Sequence, residues 1–257
     1  MEPLHSTSRH ALNYTDEVPL RTLIVTPTYN EKDNLEAFVG AVRAACPHAD
    51  LWIVDDHSPD GTGDVADALA AKDPQIRVIH RAGKLGLGTA YLQAFALGLR
   101  EGYERFVEMD ADFSHDPRYL TDIAKAFDAG ADVVVGSRNI RGGRVEGWGP
   151  GRHLLSKGGS LYSRMVLGIN VKDLTGGFNA FTRNALERID LSKVDSAGYS
   201  FQIEMKYRAH VRGLNIVEVP IVFVDRRAGQ SKMSSGIFSE AIARVWSMRA
   251  DALLGKM

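Results

Sequence analysis

Cysteine is almost missing from this chain. Cys46 is the single one in 257 residues, so no internal disulfide can form and nothing points to an oxidising compartment. Long apolar runs are missing too: nowhere do about 18 apolar residues follow one another. No membrane-spanning helix is therefore expected, and any membrane contact is expected to be peripheral. Residues Met1 to Pro19 are polar and mixed in charge, without the apolar centre of a signal peptide, and read as a polar tail. A surplus of either charge is also lacking. Against 31 Lys and Arg stand 32 Asp and Glu, a formal net charge of −1, which gives no general case for a nucleic-acid partner. Repeats and low-complexity tracts are absent as well. What is left, 44% hydrophobic and 25% charged, is an ordinary globular composition in a chain long enough for a real core.

The apolar pattern alternates between two periods. Arg21–Thr26 is a short β-branched run ending at Pro27, which reads as a buried strand. Asp33–Ala45 then carries the 3.6-residue period through Leu35, Phe38, Val39 and Val42, with Pro47 beyond its end. The unit recurs: strand Leu51–Val54, helix Asp60–Ala71 with Asp60 as N-cap, strand Gln75–His80, helix Leu87–Arg100. Strand Arg105–Met109, helix Pro117–Ala129 with proline in its first turn, and strand Asp132–Gly136 follow. Such alternation predicts an α/β fold, a mostly parallel central sheet with helices on both faces. After Arg138 the character changes. Arg141–Gly151 is glycine-rich and reads as a mobile loop. An amphipathic segment His153–Ile169, a strand near Gly177–Phe181, a helix near Phe201–Arg212, a strand Ile216–Val224 and a final helix from Ile237 to Leu254 complete the chain.

Ligands of such sheets bind beyond the carboxyl ends of the strands. The chemically interesting residues fall there: Pro27–Glu31, Asp55-Asp56, Asp110–Asp112 and Ser137-Arg138. Asp110-Ala111-Asp112 sets two carboxylates one residue apart where a strand turns, able to aim at one small volume. Two anions so close repel and need a hydrogen-bond network, a proton or a divalent cation; a hard cation with oxygen ligands and open positions for phosphate oxygens is the natural solution. The plainer alternative is a helix cap or a solvated turn. Asp55-Asp56 admits the same two readings, since Ser58-Pro59-Asp60-Gly61 is a strong turn sequence. Parallel neighbouring strands would bring both acidic pairs to one sheet edge, and together they describe a site for a nucleotide diphosphate. A dinucleotide fingerprint at Gly86–Tyr91 competes but fails. Tyr91 stands where close helix–strand packing needs a small residue, and the segment follows the third strand rather than the first. Lys84 is not followed by Ser or Thr, which removes a phosphate-binding Walker loop.

The ordered motifs Val25–Glu31, Val54–Thr62, Gly83–Ala90 and Asp110–Pro117 resemble those of family 2 glycosyltransferases. More narrowly, Gly136-Ser137-Arg138, Asp173–Phe178, Gly198–Glu204, and Phe223–Arg226 with Ser231-Lys232 resemble the dolichol-phosphate or polyprenol-phosphate mannose synthases. The resemblance covers about residues 20–235. It implies a GT-A fold over that span and transfer of mannose from GDP-mannose to a polyprenyl (dolichyl-type) monophosphate, with inversion at the anomeric carbon. Carried over by motif, Pro27, Tyr29, Glu31, Val54 and Asp56 hold guanosine. Asp110, Ala111 and Asp112 lie along the diphosphate, with Asp112 as main ligand of Mg²⁺ or Mn²⁺ and Asp110 beside it. Arg138, Arg226 and Lys232 meet phosphate groups of donor and acceptor, so Asp110, Asp112, Arg138 and Arg226 form the expected catalytic set. Two positions depart from the pattern: Ser114 stands where some relatives place a metal-binding Gln, and His57 replaces the commoner glycine. A family member using UDP-glucose or another donor or acceptor is the nearest alternative, and a non-catalytic subunit recruiting a membrane partner is the other.

Positive charge is gathered in the second half. Residues 138–164 carry six basic side chains against Glu146, and residues 226–249 carry five against Glu240. Leu154, Leu155, Leu161, Tyr162, Met165 and Val166 lie at helical spacing among the first group, suited either to cover the sheet or to touch lipid. The helix at 236–257 presents a broad apolar stripe through Ile237, Phe238, Ala241, Ile242, Val245, Trp246 and Met248. It fits its own domain, a membrane surface, a dimer or a membrane-embedded partner protein. The location expected with this reading is peripheral, on the cytoplasmic face of a membrane.

Overall fold

A computed structural model of the chain describes residues 20–196, 198–225 and 235–257, the side chains of residues 199 and 235–242 excepted. The expected alternation is present: β1 (Thr22–Thr28), α1 (Lys32–Ala45), β2 (Asp50–Asp55), α2 (Thr62–Ala70), β3 (Ile76–His80), α3 (Leu87–Arg100), β4 (Arg105–Glu108), α4 (Leu120–Asp128) and β5 (Val133–Ser137). Then come β6 (Arg144–Glu146), α5 (Pro150–Leu167), β7 (Asn179–Thr182), α6 (Arg183–Ile189), α7 (Gly198–Val211), β8 (Ile216–Pro220), β9 (Val222–Val224) and α8 (Ser235–Leu253). Seven strands form the main sheet in the order β3-β2-β1-β4-β7-β5-β8. Only β7 runs antiparallel to its neighbours, β4 and β5.

Strand alternation sorts the apolar residues into two layers. Leu23, Val25, Trp52 and Val54 point to the side covered by α3, α7 and α8, against Tyr91, Phe95, Phe201 and Val245. Ile24, Leu51 and Ile53 point the other way, against Leu35, Phe38 and Val42 of α1 and Ile123 and Phe127 of α4. Each such side chain removed from water contributes about 1.5–3 kcal/mol, so the two layers hold the strand ends, and with them the site, in fixed register. α3 lies especially close to the sheet because Gly98 has no side chain. A Cβ there would sit 2.7 Å from Leu23 Cδ2 and 2.8 Å from Phe106 Cε1, both fully buried. Glycine costs a helix interior about 1 kcal/mol, but overpacking a dense core costs about 1–3 kcal/mol. Gly98→Val is therefore expected to lose about 2 kcal/mol in chemical denaturation despite removing a helix-interior glycine.

Three readings of the sequence need correction. Asp60 is not the N-cap of α2; Gly61, at φ +89°, takes that place. Asp60 Oδ1 instead accepts from the Thr62 N–H at 3.0 Å and from its hydroxyl at 2.6 Å, one residue earlier. The single strand expected over 216–224 is two, because Pro220 offers no N–H to continue the ladder. Beyond it the chain leaves the main sheet and pairs β9 with β6, a strand inside the segment read as a mobile loop. Finally, α6 was not anticipated: seven residues capped by the Thr182 hydroxyl, which accepts from the Ala185 N–H. α8 joins the main core through Val245 and Met248 and leaves Trp246 exposed. The Ile237, Phe238, Ala241 and Ile242 side chains of its expected stripe lie outside the described residues, as do the tail at 1–19, Arg226 and Lys232.

Candidate active site

The register of β1 on β2 sets Pro27 opposite Val54 and Thr28 opposite Asp55, so the first two motifs meet at one sheet edge. The two aspartates there do different work. Asp55 is buried and internal: it accepts from Thr28 Oγ1 at 2.9 Å and from the Ser58 hydroxyl and N–H at 2.6 and 3.0 Å. It holds the turn. Asp56 ion-pairs with Arg81 at 2.7 Å and accepts from the Gly86 N–H at 3.2 Å. Arg81 also donates to Gly86 O and Thr89 Oγ1, binding the third motif to the second. The sequence reading passed over Arg81, whose signal was a lone cation directly after a strand end. Val54 is fully buried, so only its main chain faces this edge. Tyr29 and Glu31 are half-buried; Lys84 lies over the Tyr29 ring with its ammonium 3.9 Å from the centroid. His57 has φ +58°, the left-handed conformation that glycine reaches freely, so the turn keeps its shape with histidine in it.

Asp110, Ala111 and Asp112 follow β4 one strand away. The Asp110 N–H donates to His115 Nδ1 at 3.1 Å, and Tyr91 donates to Asp110 Oδ1 at 3.4 Å. Asp112 is almost buried, and its Oδ1 accepts the Ser114 N–H at 3.0 Å. Burial pushes His115 down to about 4, so its ring stays neutral and keeps Nδ1 as the acceptor that fixes the Asp110 backbone. The ring is clamped by stacking on Phe178 at 5.1 Å and edge contact with Phe223 at 5.8 Å. Among the described residues, no three His, Cys, Asp or Glu side chains gather into a closed metal cage. Two hard carboxylates at a strand end with no third protein ligand suit a cation that completes its shell with water and phosphate oxygens, which fits Mg²⁺ or Mn²⁺. Ser114, short and buried, is too small to imitate the Gln of some relatives.

Arg138 is held from behind. Its backbone N–H and Nε both donate to Asp173 Oδ2, at 2.9 and 2.7 Å, and Nη2 donates to Asp173 Oδ1 at 2.7 Å and Thr175 Oγ1 at 3.1 Å. Burial works to raise the Asp173 pKa, but the Arg138 guanidinium overrides it and holds the carboxyl below its ordinary value. Nη1 is the nitrogen that takes no part in this bidentate fork. Trp148 and Phe223 face the guanidinium at 5.5 and 5.4 Å. Gly143 lets the following loop double back here: a Cβ would lie 2.4 Å from Ser137 O.

Beneath this rim lies a polar floor. Asn179 donates to Glu108 Oε2 at 3.0 Å and to Gln202 Oε1 at 2.6 Å, while Lys206 donates to Gly176 O at 2.7 Å. Burial raises Glu108 to about 7 and lowers Lys206 to about 8. Unfolded, Lys206 would titrate near 10.5, so between about pH 8 and 10 the unfolded chain binds more protons and stability rises with pH. Lys206→Met is expected to flatten that rise, on the order of 1–3 kcal/mol, in urea titrations at pH 7.5, 8.5 and 9.5.

Residues 23–190 match the family model described as glycosyl transferase family 2. The chain belongs to that family. This glycosyltransferase is 51% identical over 232 residues to a polyprenol monophosphomannose synthase of Mycolicibacterium smegmatis, covering 89% of this chain and 88% of that one. It is 47% identical to an undecaprenyl-phosphate mannosyltransferase of Micrococcus luteus, over 90% and 96% of the two chains. Among solved structures, a Mycobacterium tuberculosis glucosyl-3-phosphoglycerate synthase in complex with Mn²⁺, UDP-glucose and phosphoglyceric acid superposes with a TM-score of 0.67 at 20% identity. The match spans 90% of this glycosyltransferase and 80% of that chain, and it shows the shared GT-A fold. No described helix is long and apolar enough to cross a membrane.

Proposed function

We propose that this glycosyltransferase moves mannose from GDP-mannose to a polyprenyl monophosphate, with inversion at the anomeric carbon. The identity to two mannosyltransferases named for polyprenol and undecaprenyl phosphate supports this reading most. In it, Pro27, Tyr29, Glu31, the Val54 main chain and Asp56 receive the guanosine, and the diphosphate runs along Asp110, Ala111 and Asp112. Asp112 and Asp110 would hold Mg²⁺ or Mn²⁺, which when bound supplies charge neutralisation for the departing diphosphate. The acceptor phosphate is already anionic at neutral pH, so no general base is assigned. The chain's own contribution is alignment and charge: Arg138, fixed by Asp173, presents its remaining guanidinium edge, and Arg226 and Lys232, outside the described residues, are assigned to the phosphates.

The prenyl chain of such an acceptor resides in a bilayer, and in this reading the enzyme works peripherally, on the cytoplasmic membrane face. Trp246, Leu253 and Leu254, exposed on and after α8, offer a surface for a membrane-embedded partner. A donor panel with a short polyprenyl phosphate tests the proposal, with released GDP and UDP measured separately. GDP release from GDP-mannose, with the mannosyl phosphodiester as product, is expected. UDP release from UDP-glucose alone would reassign the donor, and no turnover with any nucleotide sugar would point to a silent subunit.

A further inference from the structure

A basic cavity opens beside Arg138, and its other cations have no place in the chemistry above. Its volume is 520 Å³, and its walls include Arg138, Arg141, Lys157, Arg164, Lys172 and Leu161, with no carboxylate among the lining side chains. Pockets of 300–1,000 Å³ accept small organic ligands, so this one is large enough for more than a lone oxyanion. Arg138 is neutralised by Asp173 at its inner wall. The other four cations leave it strongly positive. Among the described residues Arg141, Lys157 and Lys172 ion-pair with no carboxylate, and Arg164 donates only to the neutral Asn170 amide. The nearby Glu218 carboxylate does not answer this charge: its two oxygens accept from the Lys172 and Asp173 backbone N–H groups. Arg141, Lys157 and Lys172 are exposed, so water and salt offset much of their mutual repulsion, but their summed positive potential favours an anion here.

The rim says what kind of anion. Leu154, Leu161 and Met165 of α5 are 76%, 53% and 69% exposed. Spaced by seven and four residues, they form one ridge on the helix. Lys157 and Arg164 run along one side of it, Tyr162 and Val166 on its other flank pack against the core, and Ser160, Ser163 and Leu167 behind it are buried. An apolar ridge flanked by a cationic pocket is the arrangement by which a helix lies in a bilayer interface, its apolar side chains among acyl chains and its cations among phosphates.

We infer that the cavity between α5 and the loop after β5 receives the phosphate head group of an anionic phospholipid, and that this seats the transferase on the membrane beside its lipid-borne acceptor. The inference rests on the lipid-acceptor reading above, but its test is a binding measurement that does not need turnover. The full-length protein is sedimented with vesicles of phosphatidylcholine alone or with 30 mol% phosphatidylglycerol, at 0.1 M salt. Each cation near an anionic surface is worth about fivefold in partitioning, so Arg141→Gln/Lys157→Gln/Lys172→Gln should lose roughly 100-fold on phosphatidylglycerol vesicles. The same variant should retain wild-type turnover on a short, water-soluble prenyl phosphate. The proposal is overturned if the wild type does not discriminate between the vesicles, or if the variant binds within about threefold of it. It is also overturned if inorganic phosphate at constant ionic strength displaces the protein, which would mark a site for a free anion. Loss of turnover on the soluble acceptor would overturn it too, by assigning these cations to the reaction centre. A wild type that discriminates between vesicles but transfers no sugar would instead count against the catalytic reading alone.

Discussion

Asp112→Asn is expected to lower turnover at least 10³-fold while moving the thermal midpoint by no more than about 2 °C. The substitution is chosen for what it keeps. Asp112 Oδ1 accepts the Ser114 N–H, and the asparagine carbonyl can accept the same bond, so the turn after β4 is preserved. What is lost is one negative charge in an almost buried position, opposite the expected cation. Side-chain removal by Asp112→Ala should cost no less activity but more stability. The same substitution at Asp110 should cost less in both respects, since about a third of that side chain is exposed and its backbone is anchored independently by His115. Steady-state kinetics with melting curves on the same preparations check the expectation. An Asp112→Asn enzyme within tenfold of wild type would remove the carboxylate from the chemistry.

Asp173→Ala is expected to produce the largest loss of stability, about 3–5 kcal/mol. The carboxylate accepts from the Arg138 backbone, from two guanidinium nitrogens and from the Gly176 N–H, all out of water. Truncation leaves a guanidinium with only 7% side-chain exposure and no counter-charge. Magnitudes decide the interpretation. A surface ion pair is worth about 0–1 kcal/mol, but a buried cation deprived of its partner keeps its whole desolvation cost. Removing both partners, Arg138→Met with Asp173→Leu, should therefore recover part of the loss in a double-mutant cycle, while activity stays low because no cation remains at that position. Denaturant titration gives the numbers. A loss below 1 kcal/mol for Asp173→Ala would mean that the pair is hydrated in solution.

Elements with a strong period were legible in the sequence. The apolar positions of α1, at Leu35, Phe38, Val39 and Val42, are its buried positions, and α3 runs over the expected residues. Legible too was the gathering of acidic pairs at one sheet edge, because parallel register follows from alternation alone. The supports of the site were not legible. Arg81 meets Asp56 across 25 residues, and Arg138 meets Asp173 across 35, distances at which spacing carries no information. Asp173 opens the Asp173–Phe178 motif, but a buried carboxylate behind an arginine has the same local sequence as one facing solvent. Glu108 and Lys206 were hidden for a related reason: both are fully buried, and only the fold brings them to one polar floor. The hydroxyl cap of α6 and the break at Pro220 were visible as Thr182 and Pro220 and were passed over. Sequence left open what the apolar residues of α5 do; in the fold one face covers the core while the other is exposed.

In the proposed reading Asp110 and Asp112 would hold a divalent cation that neutralises the donor diphosphate. Electron paramagnetic resonance of Mn²⁺ titrated into the protein with saturating GDP tests it most directly, because free and bound Mn²⁺ give distinct signals without any turnover. One tightly held Mn²⁺ per chain is expected in the wild type, dependent on GDP and lost in Asp112→Asn. Equal Mn²⁺ binding in the two proteins, or binding indifferent to GDP, would contradict the account.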